Sequence, residues 1–138
     1  MIREILTQYP IAIPFITILL AEMVKAAIDI FNHRHKIRFI RSGGMPSGHS
    51  AFVSSLVVVV AYRDGLQSSA FMIAAVIALI VMYDAINLRG EAGLHARAIN
   101  KMEPDAKLEE SLGHTHLEVI VGAIFGAAVS TAFLMATA

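Results

Sequence analysis

From Val119 to the end the chain carries no charged residue, and three further apolar runs precede it, at roughly Ile11 to Ile30, Ser50 to Tyr62 and Ala70 to Leu88. A hydrocarbon layer about 30 Å thick accepts only structures that satisfy their own backbone, which leaves helices and closed barrels. None of the four runs alternates as a barrel strand does. The sequence therefore predicts an all-α fold, a small polytopic transmembrane bundle with about four membrane helices. Fifty-seven per cent hydrophobic residues in 138 support this class, and residues 1–138 are expected to form one domain. The formal charge is zero, with charges gathered between the apolar runs, so nothing favours a nucleic-acid partner. Without cysteine there is neither disulfide nor thiolate chemistry.

The start of the chain differs from a signal peptide: Glu4 follows Arg3, Pro10 and Pro14 interrupt the apolar run, and no small-residue cleavage pattern closes it. It is expected to stay in the mature protein. The second run, at 1.5 Å per residue, spans only about 20 Å, so one of its ends should lie inside the membrane. Gly65 and Gln67-Ser68-Ser69 make a tight turn at one end, which assigns the recessed end to His49. Two longer polar connections, Asn32 to His49 and Gly90 to His116, fall on the same side with four spans. They carry Arg34, Lys36, Arg38, Arg41, Arg97, Lys101 and Lys107, against Arg3 and Arg63 opposite. The positive-inside rule then expects a multi-pass cell-membrane protein with these connections in the cytoplasm.

At the recessed end stands Gly43-Gly44-Met45-Pro46-Ser47-Gly48-His49-Ser50-Ala51. Two glycines allow close backbone approach, Pro46 stiffens the entry, and Ser47 or Ser50 can cap the following helix. Such a helix start offers free N–H groups to an anion, and His49 in its first turn is placed to give up a proton. These residues alone equally fit a capped helix with an incidental histidine. A second block, Leu112-Gly113-His114-Thr115-His116-Leu117-Glu118, sets His114 and Glu118 four apart on one helix face. There a carboxylate can hold one imidazole nitrogen and leave the other free as nucleophile or base. The small residues Gly122, Ala123, Gly126, Ala127 and Ser130 form a close-packing stripe, from which a homodimer is expected.

Pro46-Ser47-Gly48-His49 resembles the central signature of the type 2 phosphatidic acid phosphatase superfamily, which shares its active site with vanadium haloperoxidases. His114, Glu118, Val119 and Gly122 are similar to its last motif, His-x-x-x-Asp-Val-x-x-Gly. The wider layout resembles the divergent, DUF212-type branch: Tyr83-Asp84-Ala85 with Arg89, Ala92-Gly93, Ala96, Asn100, and then the His114 block. The resemblance implies a PAP2-like core and a metal-independent phosphatase acting on a lipid phosphate or diphosphate, polyprenyl or glycerolipid, with no cofactor. By this resemblance His114 is the nucleophile that becomes phosphohistidine, Glu118 orients it, and His49 is the general acid. Ser47 and the Gly48 N–H bind phosphate, with Arg89 as guanidinium clamp.

The chain departs from the pattern in three places. Glu118 stands where the motif has Asp. Arg89 lies 25 residues before His114, much farther than the family's arginine, which makes Arg97 a rival. The first motif has no clean match, and Lys25, supplemented by Arg38 or Arg41 with Lys36 behind, is its substitute. Asp84, at membrane depth, is expected to pair with a cation or take a direct part, and Glu22 to form a same-face ion pair with Lys25. Two other classes remain open on the sequence: a non-catalytic binder or carrier of a phosphorylated lipid headgroup, and a metal protein using His49, His114, His116 and Glu118.

Overall fold

The computed structural model describes residues 2–31 and 43–137. They form six α-helices: α1 (Ile2–Gln8), α2 (Ala12–Phe31), α3 (Gly48–Asp64), α4 (Ser69–Ile86), α5 (Leu88–Met102) and α6 (His116–Thr137), with a single 3₁₀ turn at Pro104–Ala106. The four expected apolar runs are α2, α3, α4 and α6. Helix α3 lies between α2, α6 and α4 and packs on all three. Two stretches, Ser69–Met102 and His116–Thr137, are long and apolar enough to cross a membrane. Glu22, Lys25 and Asp29 interrupt the apolarity of α2. Helix α3, at 17 residues, spans about 25 Å, still short of a hydrocarbon core.

Within the polar connection expected from Gly90 to His116, α5 occupies residues 90–102, about half of it. Glycine costs about 1 kcal/mol in a helix interior, so the glycines at 90 and 93 need a reason. At Gly93 the reason is space, because a Cβ there would lie 2.7 Å from the Glu110 carbonyl.

Three stripes with a four-residue step meet along the bundle axis: Ile13, Thr17, Ala21 and Lys25 on α2; Ala51, Ser55 and Val59 on α3; Gly122, Gly126, Ser130 and Leu134 on α6. Side chains four apart share a helix face, so each stripe is a seam. At one end Leu6, Ile13, Val59 and Leu134 form an apolar cluster. One turn above it, three fully buried hydroxyls join the helices: Ser130 Oγ donates to Ser55 Oγ (2.6 Å), which lies 3.3 Å from Thr17 Oγ1. Above that, α3 and α6 come into backbone contact, since a Cβ on Gly126 would run into the Ala51 carbonyl and the Ser54 hydroxyl. At Gly122 it would lie 2.5 Å from the Ser47 carbonyl. Gly122, Gly126 and Ser130, part of the stripe from which a homodimer was expected, are thus filled within the chain.

The outer surface is apolar. Helix α4 exposes Met72, Ile73, Val76, Leu79 and Ile80, and α6 exposes Leu117, Ile120, Ile124 and Met135. A helix hydrophobic on all sides with one buried face is suited to lipid contact.

Gly126→Leu is expected to force α3 and α6 apart and lower stability by about 3 kcal/mol or more, the upper range for overpacking. Ser55→Ala should cost only about 1 kcal/mol, because Thr17 still donates to the Ile13 carbonyl (2.8 Å) and the Ser130 hydroxyl, with Ser55 gone, turns its one proton to the Gly126 carbonyl (2.7 Å). Unfolding in detergent, followed by circular dichroism, measures both.

Candidate active site

Four segments meet at the end of the bundle opposite the apolar cluster: the second half of α2, the last turn of α4 and the first turns of α3 and α6. Ser47 is the N-cap of α3, its Oγ accepting from the Ser50 N–H (3.4 Å) and from Ser50 Oγ (3.0 Å). Its own N–H donates to the Glu118 carbonyl of α6 (3.1 Å). The two histidine-bearing helix starts are therefore bonded to each other through the backbone. The N–H groups of Gly48 and His49 find no acceptor among the described residues, as expected for the first helical positions, and are free to receive one.

His114 lies in the segment before α6, and its N–H donates to the Ala85 carbonyl near the end of α4 (2.9 Å). The helix start that follows is a capping box: Thr115 Oγ1 accepts from the Glu118 N–H (3.3 Å), and Glu118 Oε2 accepts from the Thr115 N–H (3.0 Å). The same Oε2 lies 3.2 Å from His114 Nδ1. An ionised carboxylate only accepts, so Nδ1 carries the proton and Nε2 keeps its lone pair. Burial holds the His114 imidazole below the ordinary histidine value of 6.5, against the opposing hydrogen bond and charge of Glu118. The ring is accordingly neutral at neutral pH. Thr115 was missed in the sequence, although Thr-x-x-Glu is a readable capping signature.

His49 is exposed and feels the charges of Arg89, His114, Lys25 and Glu22, which places these groups around it. Lys25 is 4% exposed, its stem beside Gly44 and its Nζ donating to Glu22 Oε1 (2.7 Å). Arg89, at the start of α5, is half-exposed, and its Nε donates to Asp84 Oδ2 (3.4 Å). The structure thus gathers His114, Glu118, His49, Ser47, Gly48, Lys25 and Arg89, with Asp84 attached through Arg89.

Arg97 is engaged elsewhere. Its Nε donates to Glu110 Oε2 (3.3 Å), and Asn100 Nδ2 donates to Glu110 Oε1 (2.8 Å). Asn100 first and then Arg97 hold the Glu110 carboxyl below its usual range. Arg97 is absent from the charges that act on His49 and His114. Arg41, with Lys36 and Arg38, lies outside the described residues. Among the described residues no three His, Asp or Glu side chains form a group fit to hold a metal, so the set His49, His114, His116 and Glu118 is not assembled as one. Glu22, expected only as an ion-pair partner, proves to lie against Gly48, where a Cβ would be 2.5 Å from its Oε1.

His114→Ala is expected to keep the fold, because the Thr115–Glu118 capping box and the Ser47–Glu118 backbone bond do not use the imidazole; an unchanged circular dichroism spectrum and melting within a few degrees check this.

Comparison with known proteins identifies the family. Residues 6–129 match the family described as the Divergent PAP2 family, DUF212. The chain is also similar to the uncharacterized membrane protein YuiD of Bacillus subtilis (strain 168), 35% identical over 145 residues that cover 89% of this chain and 92% of the relative. The search of solved structures gives no match. By a match over most of its length, the chain belongs to the divergent PAP2 family.

Proposed function

We propose that the protein is a metal-independent lipid phosphate phosphatase working through a phosphohistidine, in a multi-pass membrane bundle with its site at the cytoplasmic end. The observation that carries this reading is the His114–Glu118 pair: a buried neutral imidazole with Nδ1 held and Nε2 free, placed among His49, Lys25 and Arg89. In the reaction, Nε2 of His114 bonds to phosphorus as the P–O bond to the lipid breaks, and His49 gives its proton to the leaving alkoxide. Water then attacks phosphorus, His49 takes its proton, the N–P bond breaks and phosphate leaves. The Gly48 and His49 N–H groups, Ser47, Lys25 and Arg89 offset charge on the equatorial oxygens, where phosphoryl transfer needs it. Asp84 orients Arg89.

The surroundings support a substrate with an apolar tail. A groove of about 350 Å³ between α3 and α4, lined by Val57, Val58, Ala78, Leu79 and Met82, ends one turn from Ala85, whose carbonyl holds His114. A phosphate head can reach the site while its chain stays among helices.

Phosphate release from lipid phosphates without added divalent metal is the expected activity, and His114→Ala and His49→Ala should each lower it by about 10³-fold. Full activity in either variant would overturn the assignment. Vanadate binding with no phosphate release from any lipid substrate would leave a headgroup binder.

Arg89→Ala is expected to lose about 10²-fold, the usual cost of removing one charge-stabilising donor, and Arg97→Ala less than tenfold. A larger loss in Arg97→Ala than in Arg89→Ala would move the clamp to Arg97.

The acid limb of kcat/KM should have its midpoint below 6.5, since His114 becomes a nucleophile as pH rises through its lowered pKa. Glu118→Gln removes the charge that raises this pKa, so the midpoint should move further down while the rate drops. A pH–rate profile of the two proteins reads both effects.

A further inference from the structure

The phosphate reading leaves one group unexplained. Glu22 is a carboxylate in a place where an anion must bind. Its Oε1 accepts from Lys25, while its Oε2 is buried and has no hydrogen-bond partner among the described residues. It is the one buried side-chain polar atom among those residues left in that condition. A buried acceptor without a donor costs roughly 1–3 kcal/mol, more when charged. The carboxylate also lies flush on Gly48, beside the free N–H groups of the α3 start. There its negative charge opposes that of a phosphate. Both difficulties disappear if the ligand brings a donor of its own.

We propose that Glu22 determines which protonation state of the phosphate the site accepts: the ligand binds with one proton, and its P–OH donates to the Glu22 carboxylate, which turns its unpartnered Oε2 toward the ligand on binding. This rests on the phosphate site proposed above and adds a residue outside its catalytic set. The remaining charge on the ligand is met by Lys25 of α2, by the Gly48 and His49 amides and the His49 ring of α3, and by Arg89 of α5. His114 faces the same space from the segment before α6, with Glu118 behind it and Asp84 of α4 behind Arg89. Every cation in that set favours the fully ionised ligand, and Glu22 is the group placed to retain the proton against them. A dianion would set two like charges together in a partly desolvated corner, which is strongly disfavoured. Gly48 has a second role in this arrangement, since a side chain at position 48 would displace the Glu22 carboxylate.

The test uses the full chain in detergent and a non-hydrolysable short-chain alkyl phosphonate, whose phosphorus resonance reports its own ionisation free and bound. In the wild-type protein the bound resonance should titrate at least about one pH unit above the free ligand, a tenfold retention of the proton. Affinity should then fall about tenfold per pH unit between the two midpoints, because the bound form holds the extra proton. In Glu22→Gln the bound midpoint should drop to or below that of the free ligand, and binding at alkaline pH should improve about tenfold. A wild-type midpoint at or below the free value overturns the inference, and this reading needs no variant to fold. A raised midpoint in a protein that releases phosphate from no lipid upholds the role of Glu22 and defeats turnover. Failure of the phosphonate to bind defeats both.

Discussion

The contact on which the site depends is the approach of α3 and α6 at Ser47 and Gly122. No side chain separates the two backbones there, and the Ser47 N–H is bonded to the Glu118 carbonyl. Two helix starts are thereby fixed side by side, each with its own cap, and the histidine of each is carried to the same end of the bundle. Further along the seam, Gly126 against Ala51 and the hydroxyls of Ser130, Ser55 and Thr17 keep the axes close without a large side chain. In an apolar surrounding there is little hydrophobic drive between helices, so close packing and shared hydrogen bonds take over that role.

Glu118 shows how one carboxylate can serve both a helix start and a histidine ring. It closes the capping box with Thr115 and holds the His114 ring from the same oxygen. The motif this chain resembles has Asp here. A glutamate at the third helical position reaches back to the cap N–H, which is the geometry a capping box uses. The longer side chain is therefore accommodated by the helix start itself. Burial of His114 and the charge of Glu118 push its ionisation in opposite directions, and burial prevails.

Cations around the site are held by acids before any ligand arrives: Lys25 by Glu22, Arg89 by Asp84. A buried ammonium left alone would be costly, and an adjacent carboxylate offsets that cost. If the site takes a phosphate as proposed, the incoming group has to compete with, or accommodate, the acid already paired with each cation. Arg97 belongs to a separate network with Glu110 and Asn100 that ties α5 to the segment preceding α6. Spacing to His114 made Arg97 a rival to Arg89, and their partners separate them.

The sequence by itself determined the all-helical class, the four apolar helices to within a few residues, and the pairing of His114 with Glu118. These follow from local rules, namely runs of apolar residues, cap residues and a four-residue spacing on one face. It also marked Gly122 and Gly126 as close-packing positions. It did not show that their partner is α3, because a small-residue stripe does not state what it touches. Helix α5 was read only as part of a polar connection, and the contact of its Gly93 with the backbone at Glu110 and Leu112 exists only after folding. Glu22 against Gly48, and the hydroxyl link through Thr17, Ser55 and Ser130, join residues far apart in the chain. Such contacts have no spacing rule, and only the assembled bundle could decide them.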